Sequence, residues 1–229
     1  MNVTDNPLVT HHPLFAGFDA STLSKALDLL HAEKAVYKKG DFLKCTGERM
    51  PHFGLILSGA VQVCEDDFDG NRMIMAEVAE GATFGESLCF LKTEESPVYI
   101  YASKPTEVLW LTLTELFTPE SRMHDISAEK RELIRNLELR FTTLLARRTL
   151  SMNSRIQVLS KLKLRDKLIT YFTEQAGAAG SDTFTLSMNR DDMASYMGTN
   201  RSALSRELSQ MKADGLIDFY RNTFRILKS

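Results

Sequence analysis

Asn189-Arg190-Asp191-Asp192-Met193-Ala194-Ser195-Tyr196-Met197-Gly198-Thr199-Asn200-Arg201-Ser202-Ala203-Leu204-Ser205-Arg206-Glu207-Leu208 reads as a short helix, a tight turn and a second helix. Asn189 is a residue type that caps a helix, and the acids behind it suit the positive end of the helix dipole. Gly198-Thr199-Asn200 makes the turn. Met193, Ala194 and Met197 face inward, with alanine where two helices approach closely. Leu204, Leu208 and Met211 form the buried stripe of the second helix. A helix, a Gly-containing turn and a helix make a helix-turn-helix. The remaining face presents Arg201, Ser202, Ser205 and Arg206, with Thr199 and Asn200 at its start. These side chains suit base edges and phosphates in a major groove. Leu216-Ile217-Asp218-Phe219 and Phe224-Arg225-Ile226-Leu227 read as a hairpin behind it, a wing with Tyr220, Arg221, Asn222 and Thr223 at the tip. Asn189, Arg190 and Arg221 join the candidate DNA-contacting set, Arg190 as a phosphate contact.

Upstream, Leu164, Leu168, Ile169 and Phe172 mark an amphipathic helix, expected to end in a loop over residues 176–181. Thr183 to Leu186 alternates as a short strand. From about Ser127 to Lys161 there is neither Gly nor Pro, so one long helix is expected. Ile134, Leu137, Phe141 and Leu144 recur at coiled-coil spacing, and a narrow seam of this kind needs a partner helix. These four residues are the expected dimerisation contacts. From Leu14 to about Leu113 short alternating runs are separated by glycine turns, Asp69-Gly70 among them, which reads as an antiparallel β barrel or roll. A short helix capped by Asp19 or Ser21 precedes it, with Leu23, Ala26, Leu27 and Leu30 inward. The expected fold class is therefore α+β, in three parts: a sensor roll over 1–125, a dimerisation helix over 126–160 and a winged helix-turn-helix over 161–229.

The 229 residues are 43% hydrophobic and 25% charged, an ordinary globular composition. No apolar run is long enough to span a membrane, and the polar start, 1–12, lacks the apolar core of a secretory signal. A cytoplasmic location is expected. Residues 1–154 hold 16 Lys+Arg against 22 Asp+Glu, whereas 155–229 hold 12 against 8. A polyanion partner is thus expected for the C-terminal part alone. Cys45, Cys64 and Cys89 are too widely spaced for a metal knuckle and read as buried reduced thiols. His11, His12, His31, His52 and His124 read as surface residues. No nucleophile–base constellation or HExxH motif occurs, so no enzyme is expected.

The chain resembles the Crp/Fnr family of bacterial transcription regulators over nearly its whole length. The residues that carry the likeness are Pro13 to Gly17, Lys39-Gly40-Asp41, Ser58-Gly59-Ala60-Val61-Gln62-Val63, Phe84-Gly85-Glu86-Ser87 and Asn200 to Leu208. The resemblance implies a cyclic-nucleotide-binding-like roll, a homodimer, a palindromic site on double-stranded DNA and, for an activator, RNA polymerase as a partner. No membrane partner is expected.

The resemblance also locates an effector pocket at Phe84, Gly85, Glu86, Ser87, Ser96, Pro97 and Tyr99, and because a ligand acts only through differential affinity for two states, the pocket is expected to touch the long helix through Met152 or Asn153. Members that bind cyclic AMP carry an Arg-Ser pair for the cyclic phosphate. Ser96-Pro97-Val98-Tyr99-Ile100-Tyr101 has no arginine. Losing a charge-assisted phosphate contact costs roughly 1.5 to 3 kcal/mol. Cyclic AMP is therefore disfavoured and the effector is unidentified. Glu86 remains as an acceptor, and one of Tyr99 and Tyr101 is expected to point outward. The absence of cysteine from residues 1–44 argues against an iron–sulfur sensor, while haem stays open. Two alternatives stand beside this reading: a cyclic-nucleotide-responsive member of the same family, and a regulatory subunit that uses the roll without binding DNA.

Overall fold

The structure, a computed structural model, describes residues 3–66, 72–117, 126–186 and 188–227. The chain forms two compact units, residues 1–146 and 147–229.

The first unit opens with a 3-10 turn and helices α1 (Pro7–Thr10) and α2 (Ala20–Leu29). Asp19 caps α2, accepting from the Thr22 amide at 2.7 Å. Eight strands follow: β1 (Glu33–Tyr37), β2 (Phe42–Lys44), β3 (His52–Ser58), β4 (Ala60–Asp66), β5 (Arg72–Ala79), β6 (Thr83–Phe84), β7 (Tyr99–Ala102) and β8 (Thr106–Thr112). Helix α3 (Glu86–Leu91) lies between β6 and β7. The strands form two four-stranded sheets, ordered β1-β8-β3-β6 and β2-β7-β4-β5. Every pairing is antiparallel. Alternation puts one face of each sheet inward, where Ile56, Val61, Val78, Ile100 and Val108 meet as a core. This is the expected roll. The turn at Asp69-Gly70 lies outside the described residues.

Helix α4 (Ala128–Leu159) starts where Ser127 Oγ accepts from the Lys130 amide at 3.2 Å. Its N-terminal part joins a second core, shared with α2 and with the residues of β3 and β8 that face away from the roll's interior. Ile134, Leu137 and Phe141 are each about 1% exposed and pack with Phe53, Leu55, Leu109 and Leu111. The Phe141 ring lies 5.6 Å from that of Phe53 and 5.9 Å from that of Phe90. Leu144 packs against the same core. The expected dimer register is thereby corrected at Ile134, Leu137 and Phe141, while Leu144 is half-buried. A side chain covered by its own protomer has no surface left for a partner.

Two smaller expectations also change. His12 is buried, and its Nδ1 accepts from the Leu14 amide at 3.3 Å. Burial disfavours the cation and pushes its pKa down to about 4. An unfolded chain takes up this proton near pH 6.5, the folded one only near pH 4. The penalty on folding thus opens as pH falls through about 6.5 and is complete near 4. The unfolding transition of this unit should lose about 2 kcal/mol between pH 7 and pH 5. His12→Asn, which keeps an acceptor for Leu14, should remove most of that slope in urea titrations; an unchanged slope assigns it to other groups. Cys45 is exposed, whereas Cys64 and Cys89 are buried, and burial pushes the Cys89 thiol up to about 11.

The second unit holds α5 (Leu164–Ala179), β9 (Thr183–Thr185), α6 (Arg190–Met197), α7 (Arg201–Ala213), β10 (Ile217–Tyr220) and β11 (Thr223–Ile226). α5 continues through Ala176-Gly177-Ala178-Ala179, where a loop was expected, and stops at Gly180 (φ +61°). Three alanines, the best helix formers, outweigh one glycine. The strands form one antiparallel sheet, β10-β11-β9, behind the helices. Its core gathers Phe172, Phe184, Met193, Ala194, Met197, Leu204, Leu208, Met211 and Phe224, including every inward residue read from the helix-turn-helix pattern. Among the described residues no helix is long and apolar enough to cross a membrane.

Candidate nucleic-acid interface and the roll interior

The helix-turn-helix is built by its caps. Asn189 Oδ1 accepts from the Asp191 and Asp192 amides at 2.8 and 3.0 Å, and Asp192 accepts in return from the Asn189 amide at 3.2 Å. This reciprocal box fixes where α6 begins. Gly198, in the left-handed region at φ +67°, ends it, and Asn200 Oδ1 caps α7 by accepting from Ala203 at 2.9 Å. The side-chain oxygens of Asn189 and Asn200 are therefore committed to the backbone.

The recognition face is exposed as expected at Arg201, Ser202, Ser205 and Arg206, and Thr199 is half-buried. These side chains differ in their freedom. Arg201 Nη1 lies 2.9 Å from Asp191 Oδ2 in an exposed pair. Among the described residues Arg206 has no ion-pair partner, so its guanidinium is available in the middle of the face. Arg190 is not available in this way. It is half-buried, its Nη2 donates to the Arg221 carbonyl at 2.7 Å, and its guanidinium carbon lies 4.8 Å from the Phe224 ring centre. Expected as a phosphate contact, Arg190 is thus held against the aromatic wing. Arg221 is exposed at the wing tip.

Sequence reading missed the groups that orient this face. Arg165 on α5 donates from Nε to Glu207 Oε1 and from Nη1 to Asp214 Oδ2, each at 2.6 Å. The planar fork thus grips α7 at two points. Lys167 Nζ donates to the Met197 carbonyl at 3.1 Å, satisfying the end of α6. Pairs separated by 30 to 49 residues leave no local pattern to read.

The expected effector residues separate into two groups. Phe84 and Gly85 line the roll's interior, where Tyr37, Leu43, Met50 and Trp110 border a cavity of about 200 Å³. The Phe84 ring meets Trp110 edge-on at 5.3 Å. A Cβ at Gly54 would come within 2.3 Å of Phe84, and one at Gly85 within 2.1 Å of the Met50 methyl. Both glycines are thus needed for close packing, and Gly85 also has φ +80°. Glu86 is buried in the first turn of α3, where it accepts from the Thr83 hydroxyl. Ser87 is exposed, as is Pro97.

Ser96 is buried, but its hydroxyl donates to the Val98 carbonyl at 2.7 Å and so closes its own turn. Tyr99 lies on the face of β7 opposite the core residue Ile100, and its hydroxyl donates to Asp66 at 2.8 Å. Tyr101 shares that face, with ring centres 6.5 Å apart, because residues two apart on a strand point the same way. Both tyrosines therefore point away from the interior, which corrects the placing of Tyr99 in a roll pocket and the expectation of only one outward ring. Met152 and Asn153 are exposed on α4. No group of three potential metal ligands occurs among the described residues.

The profile of the cyclic nucleotide-binding domain matches residues 34–119, and that of the Crp-like helix-turn-helix domain matches residues 158–228. The cAMP-activated global transcriptional regulator CRP of Pasteurella multocida is 24% identical over 208 residues, covering 88% of this chain and 92% of that protein. Two solved structures share the fold. The c-di-GMP responsive global regulator CLP of Xanthomonas campestris has a TM-score of 0.54 at 17% identity, covering 92% of this chain and all of that one. A cAMP-binding regulatory protein of Silicibacter pomeroyi, described as putative in its own structure, has 0.53 at 18%, covering 98% and 94%. A cyclic nucleotide-binding domain followed in one chain by a Crp-like helix-turn-helix domain is the arrangement of Crp-like DNA-binding transcription regulators, and this chain carries both domains in that order.

Proposed function

We propose that the protein is a cytoplasmic homodimeric regulator that binds a palindromic DNA site through two copies of α7 and answers to an effector other than cyclic AMP. The observation that carries the DNA part is the exposed face Arg201, Ser202, Ser205 and Arg206, fixed by two capped helices and by Arg165. RNA polymerase is the further partner if the protein activates transcription. Retention of genomic duplex fragments by the full-length protein tests this. A reproducibly enriched subset under excess competitor DNA is expected, and retention no better than the competitor's rejects it.

The dimer is assigned to the face of α4 opposite its buried stripe. Leu139, Thr143, Ala146, Leu150 and Asn153 follow the 4-3-4-3 spacing of a helix seam, and all are exposed. Leu139 and Leu150 are each 69% exposed, a large apolar surface for a helix to leave in water.

The effector reading rests on what lines the roll. Phe84, Met50 and Trp110 occupy its interior, no arginine stands at residues 96–101, and the Ser96 hydroxyl is engaged. The Pasteurella relative is named for its activation by cyclic AMP. For this chain, calorimetry with cyclic AMP should give no stoichiometric heat at micromolar concentration. A one-to-one isotherm with micromolar affinity would instead establish the cyclic-nucleotide alternative.

A further inference from the structure

The wing turn is held at both of its residues from outside the hairpin. β10 and β11 are four residues each, joined by Arg221-Asn222. A hairpin this short is marginal on its own. Arg221 sits at φ +53°, a region L-residues enter at a cost and keep where their surroundings over-determine it. The Asn222 carbonyl accepts from the Leu186 amide at 2.9 Å, and the Arg221 carbonyl accepts from Arg190 at 2.7 Å. Arg190 reaches that carbonyl across the wing's aromatic face, with its guanidinium carbon 5.2 Å from the Phe219 ring centre and 4.8 Å from that of Phe224. Beyond the turn, Tyr220 is 73% exposed and carries the Arg221 guanidinium over its ring at 5.4 Å. At the N-terminus of α6 itself, Asp191 and Asp192 already place two carboxylates where a phosphate would dock.

From this geometry we infer that Arg190 is a positioning residue for the wing, which holds the Arg221 turn so that Tyr220 and Arg221 make a second DNA contact beside α7. The inference rests on the DNA-binding reading above and assigns Arg190 no contact of its own with DNA. A charged donor on a carbonyl makes a strong hydrogen bond, and a stacked guanidinium is a stiff one.

The test is a double-mutant cycle on one duplex selected by the wild-type full-length protein. Arg221→Ala should weaken binding about tenfold and lower the slope of affinity against salt by about one. Arg190→Ala should weaken it to a similar degree when Arg221 is present and by less than about twofold when Arg221 is already alanine. Losses that multiply in the double variant would mean that Arg190 meets the phosphates itself and would overturn the inference. So would wild-type affinity in Arg190→Ala. Thermal unfolding checks that each variant is folded. If Arg190→Ala is not, Arg190→Met keeps apolar packing on Phe219 and Phe224, removes the hydrogen bond and the charge, and enters the same cycle. A wild-type protein that selects no duplex would instead defeat the DNA-binding reading, and the inference with it.

Discussion

Asp at both Leu139 and Leu150 should convert the proposed dimer to monomers, while Asp at Leu137 should unfold the protomer's first unit. The two outcomes follow from opposite faces of one helix. Leu139 and Leu150 are exposed in the single chain, so a charge there costs the protomer little. In a seam each Leu contributes about 1.5 to 3 kcal/mol, and the two-fold axis doubles the loss and sets carboxylates against each other. The double variant should therefore dissociate at least a hundredfold more readily, read by sedimentation across a range of concentrations. Leu137 is covered by the roll, and an unpaired carboxylate there should cost about 3 to 5 kcal/mol of stability. A dimer unchanged in Leu139→Asp/Leu150→Asp places the interface elsewhere.

The second large effect is expected at Arg206. Arginine suits the O6 and N7 acceptors of guanine, and this guanidinium is exposed with no partner among the described residues to give up. Arg206→Ala should cost about 1 to 3 kcal/mol on a preferred duplex and relax the choice of base at one position of each half-site. Folding should be unaffected, because Leu204 and Leu208 carry the buried stripe. Arg201→Ala should cost less, since Arg201 must first leave Asp191, although an exposed pair of this kind is worth at most about 1 kcal/mol. A base preference unchanged at every position in Arg206→Ala removes it from readout.

Much of this was legible in the sequence, because periodicity reports which residues turn inward. The stripe Met193, Ala194, Met197, Leu204, Leu208 and Met211 was read residue by residue. Periodicity does not report which surface receives an inward face. Ile134, Leu137 and Phe141 have coiled-coil spacing, yet the surface they meet is their own roll. The same limit applies to Arg190. Its composition and position suit a phosphate, and only the folded wing brings Phe219, Phe224 and the Arg221 carbonyl against it. Cys45 and His12 reversed their expected exposures for a related reason, since residue type sets an average burial and the local packing decides each case. The missing arginine at residues 96–101 could be read directly. The close packing of Phe84 on Gly54 and of Met50 on Gly85 needed the third dimension.

Two copies of α7 reading a two-fold site should leave that symmetry in the duplexes the protein selects. Selection of bound duplexes from a fully random pool by the wild-type protein, at physiological salt, tests it most directly. The expected result is an inverted repeat whose half-site centres lie about one helical turn, roughly 10 base pairs, apart, with a strongly preferred guanine in each half. Bound duplexes that show no sequence enrichment, or a single unrepeated motif, would contradict it.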